Sequence, residues 1–94
     1  MALYTVIFEY REGTYIEQVQ APNEVEAFRA WGNKLNPNDI QHLGEKSKNR
    51  IVQDTKNKDY WPTAITGMKN VWCAGTSLSG LINIIKTHLS LIHI

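Results

Sequence analysis

The chain has 94 residues, 43% of them hydrophobic and 20% charged, with a formal net charge of +1. That length holds one domain and one core, the composition is that of a folded chain, and the charge by itself selects no polyanionic partner. Cys73 is the single cysteine, which excludes an intramolecular disulfide and a cysteine-based zinc cluster.

Glu9 and Arg11 interrupt the first apolar stretch too early for a signal peptide. No run approaches the ~20 apolar residues of a membrane span, and the apolar end from Leu89 to Ile94 is far shorter. The expectation is a cytoplasmic protein without membrane contact, a single globular domain over residues 1–94.

Residues 3–10 are β-branched and aromatic, and Tyr4, Val6, Phe8 and Tyr10 share one face of the strand they predict. Arg11-Glu12-Gly13 is a turn signal, and residues 14–20 read as the returning strand. A two-residue loop at Glu12-Gly13 would pair Tyr10 with Tyr15 and Val6 with Val19. A three-residue loop would shift the register by one.

Asn23 is placed to cap a helix, with Glu26 three residues later. Val25, Phe28, Ala30, Trp31 and Leu35 recur at helical spacing, so a helix is expected over about 23–35, stopped by Asn36-Pro37-Asn38. Ile40 and Leu43 suggest further turns, broken near Gly44.

Residues 45–59 are mostly polar, and the expectation is a flexible segment. Its apolar pair, Ile51-Val52, fits a short strand or the inner face of a helical turn. Tyr60-Trp61-Pro62 closes the segment.

Val71 to Ala74 reads as a strand, and residues 81–87 are rich in β-branched side chains. The pattern predicts a hairpin over 70–87 turning at Ser79-Gly80, pairing Leu78 with Leu81 and Ala74 with Ile85. A helix through Leu89 is the rival reading. In the hairpin, the short-sided face of Val71, Cys73 and Gly75 would receive the helix through Phe28 and Trp31. The expected fold is therefore α+β: two antiparallel β-hairpins in one sheet, a helix on one face, order ββα–loop–ββ.

The residue types offer four kinds of site. Cys73 with His42, His88 or His93 could form a thiolate pair, but a mid-strand cysteine is more commonly an inert buried one. The histidines have no ligand spacing, so neither a metal nor a cofactor is expected. Glu9, Glu12 and Glu17 cluster around the first hairpin, where carboxylates are ordinarily solvated. Lys46, Lys48, Arg50, Lys56 and Lys58 lie close in sequence and lead into Tyr60 and Trp61. Cations beside aromatics hold phosphates and stack bases, against the simpler reading of a solvated segment anchored by its aromatics.

The opening hairpin, Tyr4 to Tyr10 and Gly13 to Val19, followed by Asn23-Glu24-Val25-Glu26-Ala27-Phe28 and a helix, resembles the start of HicB-type antitoxins. That resemblance covers about a third of the chain and implies a partial ribonuclease-H-like fold with a toxin as partner. The family's Pro-Gly-Cys-type turn, third strand and DNA-binding tail have no counterpart here. The chain also resembles small bacterial proteins that share the hairpin and the Val71-Trp72-Cys73 strand, and no functional residue is carried over from them.

The reading that follows is a non-enzymatic protein-interaction module, binding another protein through a sheet edge or the first hairpin. The alternatives are a weak RNA- or DNA-binding protein using residues 46–61, an antitoxin-like partner of a toxin, and an enzyme centred on Cys73 or Glu17. A homodimer is compatible with the first.

Overall fold

The computed structural model describes residues 1–78 and 80–87. Expectations that fell on Ser79, His88, Leu89 and His93 lie outside the described residues. The elements are β1 (Ala2–Tyr10), β2 (Gly13–Ala21), α1 (Glu24–Lys34), α2 (Gly44–Thr55), a 3₁₀ turn (Lys58–Tyr60), β3 (Thr63–Ala64), β4 (Val71–Gly75) and β5 (Gly80–Thr87). The five strands form one sheet in the order β2-β1-β5-β4-β3, and every neighbouring pair is antiparallel. The α+β class and both hairpins hold.

Alternation in β1 works as the sequence predicts. Tyr4, Val6, Phe8 and Tyr10 are buried on the helix-bearing face, joined there by Val19, Ala74, Ile82 and Ile84. Phe8 sits centrally among the rings, edge-on to Trp31 at 5.1 Å and stacked on Tyr10 at 5.5 Å between centroids. Phe28 stacks on Trp31 at 6.0 Å. Gly80 lies under the Phe8 ring, where a Cβ would stand 2.8 Å from Cε1, so a side chain at that point would have to displace the buried ring.

The first hairpin turns one residue earlier than expected, at Arg11-Glu12, with Arg11 at φ 55. Tyr10 consequently faces Gly13, Phe8 faces Tyr15 and Tyr4 faces Val19. The offset from the two-residue-loop register is two residues. An even shift leaves every side chain on its expected face.

In the second hairpin the connection is longer than expected, so Val71 pairs with Ile85 and Ala74 with Ile82. This shift is three residues, and an odd shift exchanges faces. The helix packs on the side of Trp72 and Ala74, and the Val71, Cys73 and Gly75 face is turned away from it. Cys73 is half-buried.

Helix α1 starts as predicted: the Glu26 N–H donates to Asn23 Oδ1 at 2.9 Å. The Glu26 carboxylate pairs with Arg29 at 3.1 Å. The helix buries Ala27, Phe28, Trp31 and Gly32.

Where the sequence reads as a polar connecting segment, α2 forms, and Ile51 lies on its inner face. Its buried stripe is Ile51, Asp54 and Thr55, a set too polar to announce an amphipathic helix. Helices α1 and α2 approach closely at Gly32, where a Cβ would stand 2.9 Å from Thr55 Cγ2. β3 is an addition to the expected element order. It is two residues long, below the length at which a periodic pattern is readable.

Candidate interaction surface

Both helices lie on one side of the sheet, so strand alternation sends half of the strand side chains to the other side, which no helix covers. The register arranges these in rows across the strands. One row runs Ile16, Ile7, Asn83, Cys73, Thr63, and the next runs Gln18, Thr5, Ile85, Val71. Thr14, Glu9, Leu81 and Gly75 flank the first of these, and Gln20, Leu3 and Thr87 flank the second. Ile16 is 64% exposed and Leu81 48%. Glu9 is the only carboxylate among the described strand residues on this face, and no Lys, Arg or His is among them.

Three polar side chains of the face bond to one another within its plane. Gln18 Nε2 donates to Thr5 Oγ1 at 3.1 Å, and Thr5 Oγ1 lies 3.0 Å from Thr87 Oγ1. Covering these groups would leave their mutual hydrogen bonds intact, which lowers the cost of drying the surface. A shallow depression of about 330 Å³, lined by Asp59, Tyr60, Trp61, Thr63, Cys73 and Leu81 among others, continues the face past β4 and brings a second carboxylate to its margin.

The outer edge of β2 is a different kind of surface. A two-residue loop is closed by a hydrogen-bonded pair, here Tyr10 and Gly13. Alternation down the ladder then points the N–H and C=O groups of Thr14, Ile16, Gln18 and Gln20 outward. Lys34 Nζ donates to the Gln18 carbonyl at 3.1 Å and lies 3.5 Å from Glu17 Oε1. A lysine laid over an edge carbonyl obstructs an incoming strand. The hollow beside this edge, about 560 Å³ between β2 and the end of α1, is bordered by that same paired Glu17 and Lys34.

The five cations of the sequence pattern do not form one patch. Lys46 and Arg50 are exposed and four residues apart on the outer side of α2. Lys48 is half-buried and lies about 160° around the helix from both. Lys56 follows the helix end, and Lys58 belongs to the 3₁₀ turn. Tyr60 packs against the core. The Trp61 ring already has two cations of its own chain beside it, Arg29 Cζ at 5.8 Å and Lys58 Nζ at 5.9 Å from the centroid.

The acid and thiol groups are dispersed too. Glu17 is paired with Lys34, Glu9 faces the open side, Glu12 is in the turn, and Cys73 stands between Asn83 and Thr63. Among the described residues no group of three or more His, Cys, Asp or Glu is arranged to hold a metal, and no helix is long and apolar enough to cross a membrane.

Sequence reasoning passed over Ile7, Ile16, Asn83 and Ile85. The available signal was that β1 and β5 are apolar in both phases of the alternation: Leu3 and Ile7 accompany the tyrosine–phenylalanine stripe, and Leu81 and Ile85 accompany Ile82 and Ile84. A strand that is half-covered needs only one apolar phase.

No protein-family model matches the chain, and no curated protein or solved structure matches it significantly.

Proposed function

We propose that this protein is a small non-enzymatic interaction module that docks a flat, uncharged protein surface on its uncovered sheet face. One observation carries the reading. The face carries the apolar side chains Ile7, Ile16, Ile85 and Leu81, and beside them Thr5, Gln18 and Thr87 hydrogen-bond to one another. Covering that part of the face leaves these three side chains hydrogen-bonded. The β2 edge, guarded by Lys34, is a poorer dock.

A photo-crosslinking residue tests this. Placed at Leu81 on the open face, it should capture a protein in cells. Placed at Asn49 on the outer side of α2, it should capture little. Protein capture from Asn49 alone, or nucleic-acid adducts from residues 46–61, would overturn the reading. A toxin-like protein captured at Leu81 would fit it as well as any other docked chain.

A further inference from the structure

We infer that the hollow between the turn of the first hairpin and the loop ahead of α2 binds a small oxyanion, a carboxylate or a phosphate monoester. It lies at the turn end of the hairpin, on the helix-bearing side, and is independent of the docking role of the open face. Its volume is about 380 Å³. That is toward the lower end of sites for small organic ligands, about 300–1,000 Å³.

The donors that border it have spare capacity. Tyr10 is 6% exposed, and its hydroxyl has one acceptor among the described residues, the His42 carbonyl at 3.5 Å. Ordinary O–H···O bonds are about 2.7–2.8 Å long, so this buried phenol is poorly satisfied by the chain itself. The Tyr15 hydroxyl accepts from the Gln41 N–H at 3.3 Å, which leaves its own proton to be donated. The Tyr15 ring reaches that position by lying over Gly13, where a Cβ would stand 2.5 Å from the hydroxyl oxygen. Arg11 Cζ lies 5.6 Å from the Tyr10 ring centroid, and Arg11 forms no ion pair among the described residues. A guanidinium set against a ring keeps the N–H groups of its edge for an oxyanion. The His42 imidazole adds an N–H from the loop side.

The backbone points to the same place. Three described residues other than glycine have a left-handed φ: Arg11 at 55, His42 at 68 and Asn70 at 62. Asparagine and histidine tolerate that region, and arginine is rarely found in it. A two-residue hairpin loop ordinarily puts glycine or asparagine at such a position. Here the turn holds an arginine instead, and its side chain borders the hollow that His42 also borders. Strain of that kind gathers at binding sites.

Glu12 is the one carboxylate on the rim, and it is exposed. The guanidinium, two phenols and an imidazole outnumber it as donors. Its charge opposes an anion and favours a cation, which gives the test a sign.

The test is a nuclear magnetic resonance titration of the full chain at constant ionic strength. The probes are phenyl phosphate, benzoate and, as a cationic counterpart, benzylamine. Phenyl phosphate or benzoate should shift the amides of residues 10–15 and 41–42 saturably, with a dissociation constant of about millimolar order. The tighter of the two identifies the headgroup. Arg11→Gly should weaken that binding about ten-fold, as expected for losing a hydrogen bond to a charged group. Its thermal midpoint should stay level or rise, because glycine adopts the left-handed φ freely. A residue kept only for the fold would not separate the two readouts in this way. Glu12→Gln should tighten binding about two-fold. Tyr15→Phe, which keeps the ring over Gly13, should weaken it. If Arg11→Gly fails to fold, Arg11→Gln and Glu12→Gln decide by their opposite signs. No saturable shift at residues 10–15 and 41–42 from either acid overturns the inference. So does tighter binding of benzylamine there, shifts centred on Lys46 and Arg50 instead, or oxyanion binding that loss of the Arg11 guanidinium leaves unchanged. Crosslinking at Leu81 reads the open face separately, so neither result decides the other.

Discussion

Asp54 Oδ2 accepts two hydrogen bonds from Ser77, one from its backbone N–H at 2.7 Å and one from its hydroxyl at 2.8 Å. Asp54 is only 6% exposed. The pair ties the end of α2 to the connection between β4 and β5, two segments 23 residues apart. It gives a reason for a carboxylate in the buried stripe of a helix: a charged acceptor with two donors is stabilised where a bare one would not be.

Asp54→Ala should therefore destabilise the fold by about 2 kcal/mol, with Asp54→Asn and Ser77→Ala each costing about 1 kcal/mol. Urea denaturation midpoints check this. A double-mutant cycle of Asp54→Ala with Ser77→Ala should show coupling, because the hydroxyl bond is lost in either single variant. Additive effects would mean that the two side chains act independently.

Gly32 and Thr55 give a second test, at the contact between the helices. Alanine ordinarily improves a helix by about 1 kcal/mol over glycine. Here the new Cβ would stand 2.9 Å from Thr55 Cγ2, inside a buried contact. Overpacking costs about 1–3 kcal/mol, so Gly32→Ala should be net destabilising by about 1 kcal/mol. Thr55→Ser removes the obstructing methyl and keeps the hydroxyl that bonds to the Val52 carbonyl at 2.7 Å. In that background Gly32→Ala should become neutral or stabilising. Thermal denaturation of the three variants beside the wild type would show the change of sign.

These two contacts also mark where the sequence stops being readable. The aromatic stripe of β1 and the Asn23 cap are local patterns, visible within a few residues, and both appear in the fold. The first hairpin survived a misplaced turn because a shift of two preserves faces. The second did not, because its connection length is not encoded in the alternation of β4 or β5, and a shift of three turned Cys73 to the open side. Helix α2 is held by Ile51, by the Thr55 contact with Gly32 and by Asp54 reaching Ser77, partners remote in sequence. No window of residues 45–59 contains them. The candidate surface was half visible, in the apolar second phase of β1 and β5. Which phase the helices would cover depended on the same long-range packing.

Tyr4 supplies a pH prediction. Burial, with the Glu24 carboxylate adding to it, pushes its phenol above the ordinary value of 10.0. The folded state thus prefers the neutral phenol. The stability this carries is fully present below the unfolded value, near pH 10, and is lost as pH rises through the folded one. Tyr4→Phe should flatten that alkaline loss. The check is the urea midpoint followed from neutral pH to above pH 10 in both proteins. Parallel alkaline limbs would show that Tyr4 does not contribute.

The last prediction separates the docking face from the basic segment. If all five cations at Lys46, Lys48, Arg50, Lys56 and Lys58 met phosphates on duplex DNA, the log–log slope of affinity against salt would be about −4. Geometry allows fewer. Lys46 and Arg50 share the outer side of α2, Lys48 lies on another, and Lys58 stands by Trp61. Two phosphate contacts give a slope of about −2, and a site that small leaves little affinity at physiological salt. Base stacking on Trp61 would add about 1–3 kcal/mol per base only where the ring is free, and Arg29 and Lys58 already lie against it. Random RNA and DNA should accordingly bind weakly or undetectably at physiological salt. The triple reversal Lys46→Glu, Lys48→Glu and Arg50→Glu should leave crosslinking at Leu81 unchanged, since these side chains lie on the helical side of the molecule. Micromolar, salt-steep nucleic-acid binding that the triple reversal abolishes would reverse the ranking, making α2 the working surface and the open sheet a bystander.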